Sequence, residues 1–353
     1  MRISVFGLTL SSTWGNGHAT LWRGLGSALA RRGHQLTFFE KDVPYYAQNR
    51  DLELWADGQL VLYPDWGEIE ELARDYLRDA DVAIVTSFCP DAVAATDLLC
   101  RQFHGQRVFY DLDTPVTLSE YRRKGSVNYL PTDGLRRFDL VLSFTGGRAL
   151  LDLGELLGGR DVRTLYGHVD PSVHHPVSFS PNYACSLSYL GTYSEDRQPS
   201  LNALLVEPAK KMPAARFLIG GALYPEGFPW TENIYFVRHL PPSEHPAFFS
   251  SGDFTLNITR PSMAEMGYCP SGRLFEAAAC GATILTDRWE GLEIFFEPGR
   301  EILVTTSTAE VLTALQLSQK ERRSIGAAAR ARVLAQHTSE HRAIELERLL
   351  HRP

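Results

Sequence analysis

Residues 2–40, RISVFGLTLSSTWGNGHATLWRGLGSALARRGHQLTFFE, read strand, loop, helix, strand. The apolar, β-branched run RISVFGL predicts a strand. LWRGLGSALARRG has helical spacing closed by Gly33 as a C-cap, and HQLTFFE resumes the extended pattern. Together they form one βαβ unit, and the same alternation continues outward from it. A helix over 68–78 leads into ADVAIVTSF, DAVAATDLLCRQFHG leads into RVFYDLD, and a further pass ends in FDLVLSF. Continuous apolar strands separated by amphipathic helices predict a parallel sheet covered on both faces.

The alternation stops at YGHVDPSVHHPVSFSPNY (166–183), which carries three prolines and no periodicity, and then begins again. SLSYLG, ARFLIGG, NIYFVRHL, FTLNIT and ATILTD read as strands, while 198–211 and GRLFEAAACG read as helices. Two helices, about 318–336 and 338–350, close the chain. The expected organisation is a first α/β domain over 1–168, a linker over 169–183, a second over 184–336, and a terminal helical segment over 337–353.

A chain of 353 residues exceeds what one hydrophobic core usually organises, which also predicts two domains. A hydrophobic fraction of 44% and a charged fraction of 22% exclude disordered and fibrous classes. Thirty-five Lys and Arg against 42 Asp and Glu leave a net charge of −7, so nucleic acid is not an expected partner and any phosphate site must be local. MRISVFGLTL lacks the basic start and cleavage site of a secretion signal, and no stretch approaches the ~18 apolar residues of a membrane span. A cytoplasmic protein is expected. The five scattered cysteines form no C-x-x-C pair and read as reduced thiols.

Open parallel sheets bind ligands beyond the carboxyl ends of their strands, so the loops there carry the candidates. The first, TLSSTWGNGHAT, offers Gly15, Asn16 and Gly17 for close backbone approach and His18 at a helix start. A dinucleotide fingerprint would need a glycine at Thr20, which weakens a nicotinamide reading. In YDLDTPVTL, Asp111 and Asp113 stand two apart before Thr114-Pro115; either carboxylate can bind hydroxyls, and Asp113 or His18 is the candidate base. In the second half GTYSEDRQPSL supplies Gly191, Thr192 and Arg197 at a strand-to-helix turn. Arg260 and Arg273 add cations at neighbouring strand ends, which together point to an anion. Glu276, among small apolar residues in GRLFEAAACG, suits the hydroxyls of a ribose.

The stretches SLSYLGTYSEDRQ, SGRLFEAAACGATILTD, GLEIFFEPGREILV and HTSEHR, with VFYDLDTPVTL in the first half, resemble the CgeB-like branch of glycosyltransferases of the GT-B fold, with a group 1 type C-terminal domain. The resemblance implies two Rossmann-like domains facing across a cleft, with the last helix crossing back to the first. It also implies transfer of a hexose from a nucleotide-diphosphate sugar to an acceptor the sequence does not identify. Glu276 matches the second glutamate of the family's E-x7-E pair, implying contact with the donor ribose, whereas Tyr268 stands in the place of the first. Of the family's G-R-x4-K-G pattern, Gly191 is followed by Thr192 and Arg197 takes the lysine position.

Arginines offsetting charge on the leaving diphosphate require no bound metal, so neither metal nor cofactor is expected. The D-x-D spelling of Asp111 and Asp113 is the rival metal reading. His337-Thr-Ser-Glu340-His341 spells an inverted zinc-peptidase signature, but its Thr and Ser read as helix caps. His168, Asp170, His174 and His175 form a second metal suspicion, read as structural because it falls beside the linker prolines. A sugar-nucleotide epimerase or dehydrogenase, and a degenerate binding protein, are the alternatives on this architecture.

Overall fold

The computed structural model describes residues 1–351, which form two compact units: 1–166 with the segment from Ser339 onward, and 167–338. The first unit holds a seven-stranded sheet of β1 (Arg2–Gly7), β2 (Gln35–Lys41), β3 (Gln59–Tyr63), β4 (Val82–Thr86), β5 (Gln106–Asp111), β6 (Leu140–Ser143) and β7 (Val162–Thr164). Their order is β3-β2-β1-β4-β5-β6-β7, every pairing parallel. The edge strands β3 and β7 escaped the sequence reading: VRT is short and mostly polar, whereas QLVLY is largely apolar but stands between the polar stretches 48–58 and 64–68.

Trp22, on the helix His18–Arg31, anchors one face of this sheet by meeting Phe38 and Tyr110 edge-on at 5.8 and 6.1 Å. The same core takes in Ala343, Leu346 and Leu350 of the terminal helix Ser339–Leu350. Arg32 and His34 then hold that helix through Glu347, each at 2.7 Å. The Arg32 guanidinium draws the Glu347 carboxyl down to about 2, so this clasp persists over the whole neutral range.

The second unit holds β8 (Leu187–Leu190), β9 (Phe217–Gly221), β10 (Ile234–Arg238), β11 (Thr255–Asn257), β12 (Ile284–Thr286) and β13 (Leu303–Val304), in the order β10-β9-β8-β11-β12-β13, again all parallel. The helical stretch 198–211 widens into a π turn at Asn202–Val206, just before Pro208, whose missing N–H and bulky ring disfavour ordinary α geometry there. Among the described residues no helix is long and apolar enough to cross a membrane.

In both sheets the strand order reverses direction once, at β1/β4 and at β8/β11. Such switch points open a crevice at the carboxyl ends of the strands, because the connecting helices depart to opposite faces. Backbone strain gathers at strand ends: Phe88 after β4, Leu223 after β9 and His239 after β10 have φ of 58°, 66° and 50°.

Candidate functional site

In the first unit the switch point assembles three side chains from three strand ends. His18 follows the β1 loop, Ser87 follows β4 and Asp113 follows β5. His18 Nε2 lies 2.8 Å from Asp113 Oδ2, and Ser87 Oγ donates to the same oxygen at 3.0 Å. Asp113 occupies the N-cap of the helix Thr114–Lys124 without capping it through its side chain, which reaches across to His18 instead. With Nε2 donating to the carboxylate, a neutral His18 carries its lone pair on Nδ1, a buried atom without a partner.

The surrounding loop is fixed from below. Glu40 at the end of β2 is fully buried and accepts from Thr9 Oγ1, Leu10 N, Ser11 N and Ser11 Oγ at 2.6–2.9 Å. Gly15 has φ of +66°, and a Cβ there would lie 2.8 Å from the Tyr45 hydroxyl. Asn16 is occupied structurally: its Oδ1 accepts from His18 N and Ala19 N, and so caps the helix that carries His18. Gly17 is exposed with open space where a Cβ would sit.

Asp111 and Thr114, expected beside a ligand, are instead completely buried. The chain has already turned between Asp111 and Asp113, so the two carboxylates do not project together. Asp111 Oδ1 accepts from Asp113 N at 3.0 Å and Thr117 Oγ1 at 2.9 Å, and Thr114 Oγ1 meets Ser143 Oγ at 2.8 Å. Burial, and then the nearby Asp113 charge, push the Asp111 carboxyl up to about 7. Asp111 therefore braces the loop that presents Asp113, and the paired-carboxylate metal reading has no shared face to stand on.

In the second unit Gly191 and Thr192 leave β8 pressed against the end of β9. Gly221 has φ of +154°, and a Cβ there would fall 2.0 Å from the Gly191 carbonyl, so only glycine allows this approach. Arg197 is 9% exposed; one terminal nitrogen donates to the Thr192 carbonyl, while its Nε is buried without a partner. Arg273, in the first turn of the helix Gly272–Ala279, makes no hydrogen bond or ion pair among the described residues. Its pKa is lowered, first by burial and then by the neighbouring Arg197 cation, with Tyr189, Glu276 and Tyr224 opposing. Glu276 lies one turn further along that helix, its side chain 12% exposed.

Arg197, Arg273 and Glu276 thus come together, whereas Arg260 does not join them as a free cation. It is bound to Asp196 at 3.3 Å and to Ser194 Oγ at 3.1 Å. Tyr268, eight residues before Glu276, sits at φ of 48° with its N–H held by the Glu290 carbonyl at 2.6 Å and its ring over Gly291. His245 was not singled out from sequence: it is carried to Glu276 by the packing of the helix His245–Ser251, which its own local pattern does not announce. Burial, outweighing the pull of Glu276, drives the His245 imidazole down to about 4. Ser87 and Glu40 were missed likewise; the one available signal was a polar residue closing an apolar strand.

The metal-signature candidates separate. His337 lies between the helices Gln319–Gln336 and Ser339–Leu350 and stacks on Phe275 with centroids 5.0 Å apart, so H-x-x-E-H shares no helical face. Of the linker group, Asp170 accepts from Ser172, while His174 turns toward His245 with centroids 5.8 Å apart. A separate cavity of about 500 Å³ lies at the amino ends of β5 to β7, lined by Arg107, Arg136, Arg137, Arg160 and Asp139. It is remote from the carboxyl-end loops, and Arg107 and Arg137 there are already bound by acids.

Two parallel α/β units, each with polar groups at its switch point, define a protein of the GT-B glycosyltransferase fold. Residues 197–348 match the family model described as glycosyl transferase-like. Similar solved structures span the whole chain. Sucrose-phosphate synthase from Thermosynechococcus elongatus is 15% identical with a TM-score of 0.72, covering 99% of this chain and 98% of its own. HepE of Anabaena, solved with UDP-glucose, is 13% identical with a TM-score of 0.68 and 99% of each chain covered. An alpha-glucosyltransferase solved with UDP-glucose and DNA containing an abasic site is 13% identical, with a TM-score of 0.76 and 100% of each chain covered. No curated protein matches the sequence.

Proposed function

We propose that the protein is a glycosyltransferase of the CgeB-like type, whose second domain binds a nucleotide-diphosphate hexose. The observation that carries this is the crowding of Arg273 and Arg197, two cations with no acid bound to either, beside the Glu276 carboxylate. Like charges packed together with no acid in contact, and offset only in part by the nearby Glu276, cost stability in the free protein, so the arrangement suits an anion that arrives with the ligand. A diphosphate supplies that charge, and the attached pentose offers Glu276 its hydroxyls. That relatives of the same fold were solved with UDP or UDP-glucose supports the same choice.

As the glycosidic bond breaks, negative charge builds on the leaving diphosphate, and two preplaced guanidinium groups offset it without a metal. Asp113 orients His18, and His18 holds the acceptor hydroxyl and takes up its proton. The net charge of −7 argues against a polyanionic acceptor such as DNA. Calorimetric titration with UDP, together with release of UDP from UDP-hexoses in a panel of acceptors, tests the reading. Absence of binding by UDP, GDP and dTDP alike refutes it.

A further inference from the structure

His174, His245 and Glu276 reach one another from three separate segments of the second unit. His174 ends a turn in which its N–H bonds the Asp170 carbonyl, His245 opens the helix His245–Ser251, and Glu276 lies in the helix Gly272–Ala279. One ligand atom from each lies within 4.8 Å of the others. His245 Nδ1 is 3.9 Å from Glu276 Oε2, beyond hydrogen-bonding range. His245 Nδ1 and His174 Nε2 are both buried without any hydrogen-bond partner, and His174 is only 1% exposed. Buried polar atoms in folded proteins nearly always have partners. Here two imidazoles, each with an orphaned buried nitrogen, converge with a carboxylate.

We propose that His174, His245 and Glu276 bind one zinc-class divalent cation, which competes with the donor pentose for the Glu276 carboxylate. Two imidazoles with one carboxylate suit zinc, whereas magnesium and calcium prefer oxygen alone. Bonds of about 2.0–2.2 Å in a tetrahedron place ligand atoms roughly 3.4 Å apart, so atoms within 4.8 Å of one another close by up to about 1.4 Å on binding, within reach of side-chain rotation. Three protein ligands leave a fourth position for water. Metal binding itself does not depend on what the protein catalyses; the competition rests on the donor reading above.

The test is titration of the untagged full chain with zinc sulfate against a chromophoric chelator, and with cobalt(II) followed by visible absorption. One equivalent is expected, with the intense cobalt bands of a low-coordinate nitrogen-ligated site. His174→Ala and His245→Ala are each expected to weaken zinc by at least ~10–100-fold, as loss of an organising group at a metal site does. Saturating UDP is expected to weaken it at least ~10-fold, equivalent to ~1.4 kcal/mol. The cobalt spectrum of the unsubstituted protein needs no variant to fold. Absence of a saturable equivalent, or zinc binding unchanged in both folded variants, overturns the site. If UDP binds and zinc affinity does not change, the competition is overturned. If UDP itself fails to bind, the donor reading falls while the zinc result stands.

Discussion

Replacing Arg273 by methionine separates stability from binding in opposite directions. The lowered pKa of Arg273 means that its charged form is less favourable in the folded chain than in the unfolded one, at every working pH. The main causes are burial and the Arg197 cation, and both vanish in Arg273→Met, which keeps a long unbranched side chain of similar reach. Exchanging a charge crowded by a like charge and only partly offset by Glu276 for an apolar group gains on the order of 1 kcal/mol. In a unit spanning 167–338 each kcal/mol raises the melting temperature by about 2–4 °C. The ligand-free variant should therefore melt at least ~2 °C above the parent. Nucleotide binding should move the other way. A charge-assisted hydrogen bond contributes ~1.5–3 kcal/mol, so its loss weakens UDP by ~10–150-fold. Scanning fluorimetry with and without UDP reads both effects in one experiment, since a ligand bound only by the folded state raises the melting temperature with its concentration. A variant that melts lower and still responds to UDP like the parent refutes the anion site.

Glu276→Gln should weaken UDP by ~10-fold in calorimetry, because an amide replaces a charged acceptor for the pentose hydroxyls. Arg260→Ala, which breaks a pair with Asp196 and leaves Arg197 and Arg273 in place, should weaken it less than Arg273→Met. Asp113→Asn and His18→Ala should each lower kcat by ~10²–10⁴-fold with donor Kd unchanged, measured as nucleotide release with an active acceptor. Burial pushes the Asp111 carboxyl from its ordinary 3.8 up to about 7, so between about pH 4 and 7 the folded state binds the extra proton and this group's contribution to stability falls as pH rises. Asp111→Asn removes that loss. Relative to the parent, it should gain stability between pH 5 and pH 8 in urea denaturation, and an unchanged difference across that range would contradict the buried assignment.

Most of the architecture was legible because parallel strands buried on both faces are predominantly apolar, as the cores of RISVFGL, ADVAIVTSF, FTLNIT and ATILTD are, and because they alternate with amphipathic helices. Edge strand β3 was not, although LVLY is apolar, because a single short run without a flanking helix pattern before it did not stand out as a strand. For the sites, sequence located the loops through the strand ends and so reached His18, Asp113, Arg197, Arg273 and Glu276. It picked Asp113 as the candidate base but kept Asp111 beside it as a ligand-loop residue, because a carboxylate on a strand end gives no sign that the chain turns after it and buries it completely. Ser87 and His245 were out of reach for a related reason, because each is brought to its partner by another element and not by its own neighbours in the chain.

The three arginines show most directly where sequence stops. Arg197, Arg260 and Arg273 share charge, setting and the loops of one sheet, and nothing local ranks them. What separates them is the placement of acids: Asp196 turns back to Arg260 and satisfies it, whereas no carboxylate binds Arg197 or Arg273. A cation already paired offers a ligand little, since it must first be released, whereas a cation crowded by another and in contact with no acid gains more when an anion arrives. On the proposed reading, the anion site is defined less by where positive charge stands than by where the fold leaves it without a bound acid. Adding an acid to that turn should oppose the anion: Gly272→Asp, whose Cβ meets open space, puts a negative charge in the helix turn that carries Arg273 and is expected to weaken UDP by ~10-fold or more in calorimetry while leaving the ligand-free melting temperature unchanged or higher. Undiminished UDP affinity in that variant would show that the uncompensated guanidinium is not what the nucleotide reads.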